Sequence, residues 1–139
     1  MKQSFVFALA MAFVTACSTA PHRQNHTSSE SSPETVLVTY RVKPGKEQQL
    51  AATLSRAWDI YRKERLVFAQ PHVIIREREE GDKHRFIEIF TWVNHDAPDH
   101  APDSVKNIWD QMQLVCETRD GHKGLEGGEV EILVPKASN

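Results

Sequence analysis

Residues His84 to His100 read HRFIEIFTWVNHDAPDH, and they begin as a strand with two apolar faces. Alternation puts Phe86, Phe90 and Trp92 on one side, with Glu88 among them, and Ile87, Ile89 and Val93 on the other. A strand that is apolar on both sides must be covered on both. Glu88 in the middle of the aromatic side is the chemically conspicuous residue. His95 and His100 follow in the loop that leads onward.

Working back from this strand, Glu80-Gly81-Asp82-Lys83 is a turn, and the run LVFAQPHVIIREREE before it is apolar and β-branched in its middle. Residues from about 72 to 93 therefore form one antiparallel hairpin, with Arg76, Glu77, Arg78 and Glu79 toward its solvent end. Pro71 cannot donate to a ladder, which predicts an edge position or a bulge near the start of that strand. Further back, TVLVTYRV from Thr35 alternates Val36, Val38, Tyr40 and Val42 against Leu37, Thr39 and Arg41, a first strand. Lys43-Pro44-Gly45 breaks it. Leu50, Leu54, Ala57, Trp58 and Tyr61 then recur at helical spacing, with Arg56, Arg62, Lys63 and Glu64 on the wet side.

Working forward, the loop 94–102 carries Asp96, Asp99 and two prolines, which are helix-initiation signals. A second amphipathic helix follows, with Val105, Ile108, Trp109, Met112, Val115 and Cys116 on one side. Asp120-Gly121 and the glycine-rich 124–128 are expected to unwind into a loop. The alternating EVEILVP at 129–135 is expected to be the last strand.

The front of the chain is different. MKQSFVFALAMAFVTA at 1–16 has one lysine and then an apolar run ending in small residues, as a secretory signal does, and it is too short to span a bilayer. Val14-Thr15-Ala16-Cys17 resembles the lipobox of bacterial lipoproteins, which implies lipidation at Cys17, a location in the bacterial cell envelope and, with Ser18 following, the outer membrane in a diderm organism. Residues 17–34 contain serines, threonines and prolines with no large apolar side chain, so they read as a tether. The domain is then 35–135, with a tail at 136–139. Removal of 1–16 takes Lys2 with it and leaves 16 basic against 19 acidic residues, a net charge of −3. No basic patch interleaved with aromatics suggests nucleic-acid binding. With Cys17 lipidated, Cys116 has no partner and is expected as a buried free thiol on a helix face.

The element order β-α-β-β-α-β within about 100 residues predicts an α+β, ferredoxin-like domain. Its four-stranded antiparallel sheet carries both helices on one face. The opposite face still needs a cover, and a twofold partner, making a homodimer, is the simplest supply. At this point the chain resembles the dimeric α+β barrel superfamily, and within it the antibiotic-biosynthesis-monooxygenase-like (ABM) proteins, over about residues 35–135. The resemblance is carried by Val42, Pro44, Gly45, Lys46 and Glu47 after the first strand, by FIEIFTW (Phe86 to Trp92), and by His100 followed by a helix bearing Trp109.

The resemblance implies a pocket between the sheet and the two helices, walled by Tyr40, Trp58, Tyr61, Phe90, Trp92 and Trp109. It would take a small hydrophobic or aromatic molecule. Two readings stand open for Glu88. In one it is a general base, or an anchor for a phenolic substrate, with His100 as its acid–base partner, in a monooxygenase that uses no cofactor. In the other it is exposed, or is a structural pair with Arg41, Arg76 or His72, in a non-catalytic module. His72, His95, His100, Asp96 and Asp99 show no metal-ligand spacing, so no metal is expected. The haem-degrading branch uses a strand asparagine, and the first strand here contains none.

Overall fold

The computed structural model describes residues 32–133. The expected signal segment, Cys17 and most of the tether lie outside those residues, as does the tail. Within them the order is β1 (Glu34–Val42), α1 (Glu47–Lys63), β2 (Val67–Arg78), β3 (His84–Trp92), α2 (Asp103–Val115) and β4 (Leu125–Glu129). A single 3-10 turn at Glu80–Asp82 closes the β2–β3 hairpin.

The local reasons are those the residue pattern suggests. β1 stops where Gly45 takes φ +79, a conformation that costs a glycine little. α1 carries Glu47 in its first turn and Arg62 and Lys63 in its last, which suits the helix dipole at both ends. α2 opens with Pro102 at the cap position and Asp103 in the first turn. Leu50, Leu54, Ala57 and Tyr61 of α1 and Val105, Ile108, Met112 and Val115 of α2 are buried. They pack on the sheet face made by Val36, Tyr40, Val42, Phe86, Phe90 and Trp92.

The sheet is antiparallel throughout, in the order β2-β3-β1-β4. β2 is thus an edge strand, and its pairing with β3 shifts between Val67 and His72, around a cis Gln70–Pro71 bond. This is the edge and bulge that Pro71 requires. The hairpin starts at Val67, five residues earlier than the alternation alone suggests.

β4 departs from expectation. It is LEGGE at 125–129, all but Glu129 inside the stretch expected as a loop, and residues 130–133 belong to no strand. Pairing decides this: Tyr40 faces Leu125 and Val36 faces Glu129, the Val130 amide donates once more to the Thr35 carbonyl, and β1 then ends at Glu34. Among the described residues no strand pairs with residues 131–133. The return from α2 is held by the Arg41 amide donating to the Gly124 carbonyl at 2.7 Å and the Glu117 amide donating to the Arg41 carbonyl at 2.9 Å.

Cys116 is buried and free, as expected, but lies one residue beyond the end of α2, opposite Val42. Burial pushes its thiol up to about 11. Behind it, a Cβ on Gly124 would sit 2.8 Å from the Glu117 nitrogen and 3.0 Å from Cys116. Gly124→Ala is therefore expected to cost about 1–3 kcal/mol of stability, read as a lower midpoint in urea unfolding.

The second face of the sheet carries two apolar rows, Leu37-Ile89-Val73 and Thr39-Ile87-Ile75. Val73 and Ile75 are 44% and 46% exposed. A charged row closes this patch at one end, where Arg85 pairs with Glu77 and Arg41 with Glu126. At the other end the hydroxyls of Thr35 and Thr91 meet at 2.8 Å.

Candidate functional site

Glu88 lies on the helix face at the centre of β3, 1% exposed. Its neighbours straight across are Val38 and Ile74, which offer no polar atom. Its partners are diagonal. From β1 the Tyr40 hydroxyl donates to Oε2 at 2.8 Å, and from β2 His72 Nε2 meets Oε1 at 2.9 Å. Diagonal positions on one sheet face lie about 7–8 Å apart, somewhat less at Cβ, a gap that Tyr, Glu and His side chains can bridge. Both carboxylate oxygens are therefore engaged.

Burial raises the Glu88 carboxyl above its ordinary range, with the bonds from His72 and Tyr40 pulling the other way. Tyr40 is pushed well up by its own burial and then by the charge of Glu88. Beyond His72, the Trp58 ring stacks on the imidazole at 3.6 Å between centroids and within 10° of parallel. Tyr40, Glu88, His72 and Trp58 thus form one connected row across the sheet. Of the partners weighed for Glu88 from sequence, His72 is the one the fold delivers; Arg41 is turned to the other face, where it binds Glu126.

Beside this row lies a cavity of about 370 Å³, partly open to solvent. Its walls are Val36, Val38 and Tyr40 of β1, Phe90 and Trp92 of β3, Tyr61 of α1, Trp109 and Met112 of α2, and Leu125 and Gly127 of β4. The aromatics brace one another. Phe90 meets Trp92 at 4.9 Å and Tyr61 meets Trp92 at 5.3 Å, while Trp109 Nε1 donates to the Tyr61 hydroxyl at 2.6 Å. Gly127 leaves room that a larger residue of an edge strand would fill.

Among the residues expected at a site, Tyr40, Tyr61, Phe90, Trp92 and Trp109 line this cavity, and Trp58 does not. Glu88 is not on the wall; it touches the lining through Tyr40. His100 is elsewhere: it is exposed, its Nδ1 rests on the Asp96 carbonyl at 3.1 Å, and it borders a separate shallow hollow with Leu66, Val93, Asn94 and Ala97. The expected partnership of Glu88 and His100 is therefore corrected. The loop after β3 turns back over Leu66, whose carbonyl accepts from the Val93 amide, and so carries His100 away from the centre of the sheet. His95 pairs with Glu34 at 3.1 Å. The three histidines thus serve three different places.

Sequence reasoning missed the part that β4 and the strand ends take in the cavity, namely Leu125, Gly127, Glu129 and Glu34. The alternation in β1 was the available signal for Glu34, which shares a face with Val36. Nothing in LEGGE marks a strand, since its membership is decided by backbone pairing alone.

No protein-family profile matches the sequence, and no curated protein matches it. Solved structures do. One is SnoaB, a cofactor-independent oxygenase from Streptomyces nogalater, at 16% identity and a TM-score of 0.57 over 77% of this chain and 99% of that one. A dimeric ferredoxin-like protein of unknown function from a Jannaschia species matches at 14% identity and 0.53, over 73% and 100%. The chain has their fold. It is the ferredoxin-like fold of the ABM-like structures. A candidate antibiotic biosynthesis monooxygenase from Bacteroides thetaiotaomicron also shares it, at 14% identity and 0.54, over 78% and 96%. At such identities the ABM likeness speaks to architecture, and the chemistry has to be argued from the site.

Proposed function

We propose that the protein is a homodimer, anchored to the bacterial envelope through lipid at Cys17, in which each protomer encloses a small aromatic molecule in the cavity between sheet and helices. The observation that carries this reading is the partly open cavity of about 370 Å³ walled by five aromatic residues. Such concave, mainly apolar hollows with a few polar groups are the usual form of a small-molecule site. The dimer is supported by the exposed rows of Val73 and Ile75 on the far sheet face and by the dimeric form of the Jannaschia protein. The anchor rests on the lipobox-like Val14-Thr15-Ala16-Cys17, and mass spectrometry of the mature N-terminus should find Cys17 acylated.

Calorimetric titration with naphthol tests the cavity. Saturable binding is expected, and Met112→Trp, which pushes an indole into the hollow, is expected to weaken it at least about tenfold while the fold is kept. No heat from naphthol with the folded protein would overturn the reading. Sedimentation analysis tests the dimer: Ile87→Glu, in the middle of the far face, is expected to give monomers. A wild-type protein that sediments as a monomer would end that part of the proposal.

A second reading is favoured by one specific observation: Tyr40 lines the cavity, and its hydroxyl is bonded to Glu88, which His72 holds in turn. In a cofactor-free oxidation of an anthrone, one O2 is consumed, the ring methylene becomes a carbonyl and one water leaves. The protein's share is to take the proton whose loss makes the substrate reactive toward O2. Here that proton would pass to the Tyr40 oxygen as Tyr40 hands its own to Glu88. Oxygen uptake with anthrone that is abolished in both Tyr40→Phe and Glu88→Gln would support it. No uptake by the wild type leaves binding as the function.

A further inference from the structure

Every charged side chain on the cavity's lining is an acid, and we infer that the cavity selects aromatic molecules carrying a protonated amine over those carrying a carboxylate. The inference rests on the cavity being a ligand site. Glu34 and Glu129 stand on neighbouring strands, and both face the helix side. Glu129 is directly across from Val36, and Glu34 is two residues along from Val36 on β1. They therefore sit diagonally at one end of the hollow.

No lysine or arginine is among the lining residues. Glu34 has His95 Nδ1 at 3.1 Å, a half-exposed imidazole, and among the described residues Glu129 has no ion-pair partner. Two hydrogen-bond donors of the wall are already spent: the Tyr40 hydroxyl donates to Glu88, and Trp109 Nε1 donates to the Tyr61 oxygen, whose own O–H has no acceptor among the described residues. Gln113 is the remaining neutral polar side chain on the lining, and it is exposed. An anionic ligand would meet two carboxylates, with the Tyr61 O–H and the exposed Gln113 amide as the uncommitted donors of the lining. An ammonium would meet two acceptors of opposite charge. The π faces of Phe90, Trp92, Tyr61 and Trp109 behind them also attract a cation.

Three molecules of one shape separate the outcomes: naphthylmethylamine, naphthylmethanol and naphthoate, titrated calorimetrically into the full folded protein at low and at high salt. The expected order is amine, then alcohol, then carboxylate, with about tenfold or more between the ends at low salt and a narrower spread at high salt. In the Glu34→Gln, Glu129→Gln double variant the amine is expected to lose its lead. Equal affinity for all three, or tightest binding of naphthoate, overturns the charge selection while the cavity stands as a ligand site. An unchanged amine preference in the double variant overturns its assignment to these two residues. Absence of binding by all three removes the cavity reading itself.

Discussion

Replacing Glu88 by alanine is expected to lower the unfolding free energy by about 3 kcal/mol, the scale for breaking a buried paired group. The carboxylate is 1% exposed and satisfies two side chains at once. Its removal strands the Tyr40 hydroxyl, itself buried, and frees the half-buried His72 from its acceptor. Urea unfolding of the variant is the measurement, and a loss below about 1 kcal/mol would mean that the row across the sheet is not a structural unit.

Glu88→Gln separates charge from geometry. Burial raises the folded-state carboxyl above its unfolded value, so between those two values the folded state binds more protons than the unfolded one. Stability from this group therefore increases as the pH falls through that window and is lost as it rises. The wild type is expected to gain on the Gln variant as the pH is lowered from neutral toward the ordinary carboxylate range. A difference between the two that grows with rising pH in the wild type's favour would contradict the raised value.

Trp92→Ala is the second large effect. The indole is buried at the end of β3, in ring contact with Phe90, Tyr61 and Trp109. Its deletion joins new empty space to the existing cavity, and large aromatic truncations in a core cost roughly 3–5 kcal/mol. The expected result is unfolding at a much lower urea concentration, with loss of the near-ultraviolet dichroism of the aromatic cluster. Trp92→Phe keeps the ring and is expected to recover more than half of the loss. If the alanine variant were as stable as the wild type, the cluster would not be the part of the core that this geometry makes it.

These two residues show how far the sequence could be read. Period-two alternation placed Phe86, Glu88, Phe90 and Trp92 on one face, and the lone carboxylate among aromatics favoured that face as the one under the helices without fixing it. The helices themselves followed from Leu50-Leu54-Ala57-Tyr61 and Val105-Ile108-Met112-Val115 at three- and four-residue spacing. Pro71 marked the edge strand. Each is a local pattern whose period equals that of the structure it forms, so one chain of letters suffices.

His100 and β4 were misread for a common reason. A histidine after a strand has no local signal for the direction its loop takes, and LEGGE has no side-chain pattern at all. The alternation of EVEILVP is real, but a strand needs a neighbour, and β1 ends at Glu34. Pairing length is a property of two segments together.

By itself, then, the sequence determined the order of the elements and which side chains share each face of the sheet. Only the tertiary structure decided that Glu88 is held by Tyr40 and His72, that the cavity lies beside that row and not over it, and that acids stand at its end. Which residues meet diagonally across three strands, and which strand closes the edge, depends on register and crossover geometry. Those are settled when distant segments pack, and no periodicity along the chain encodes them.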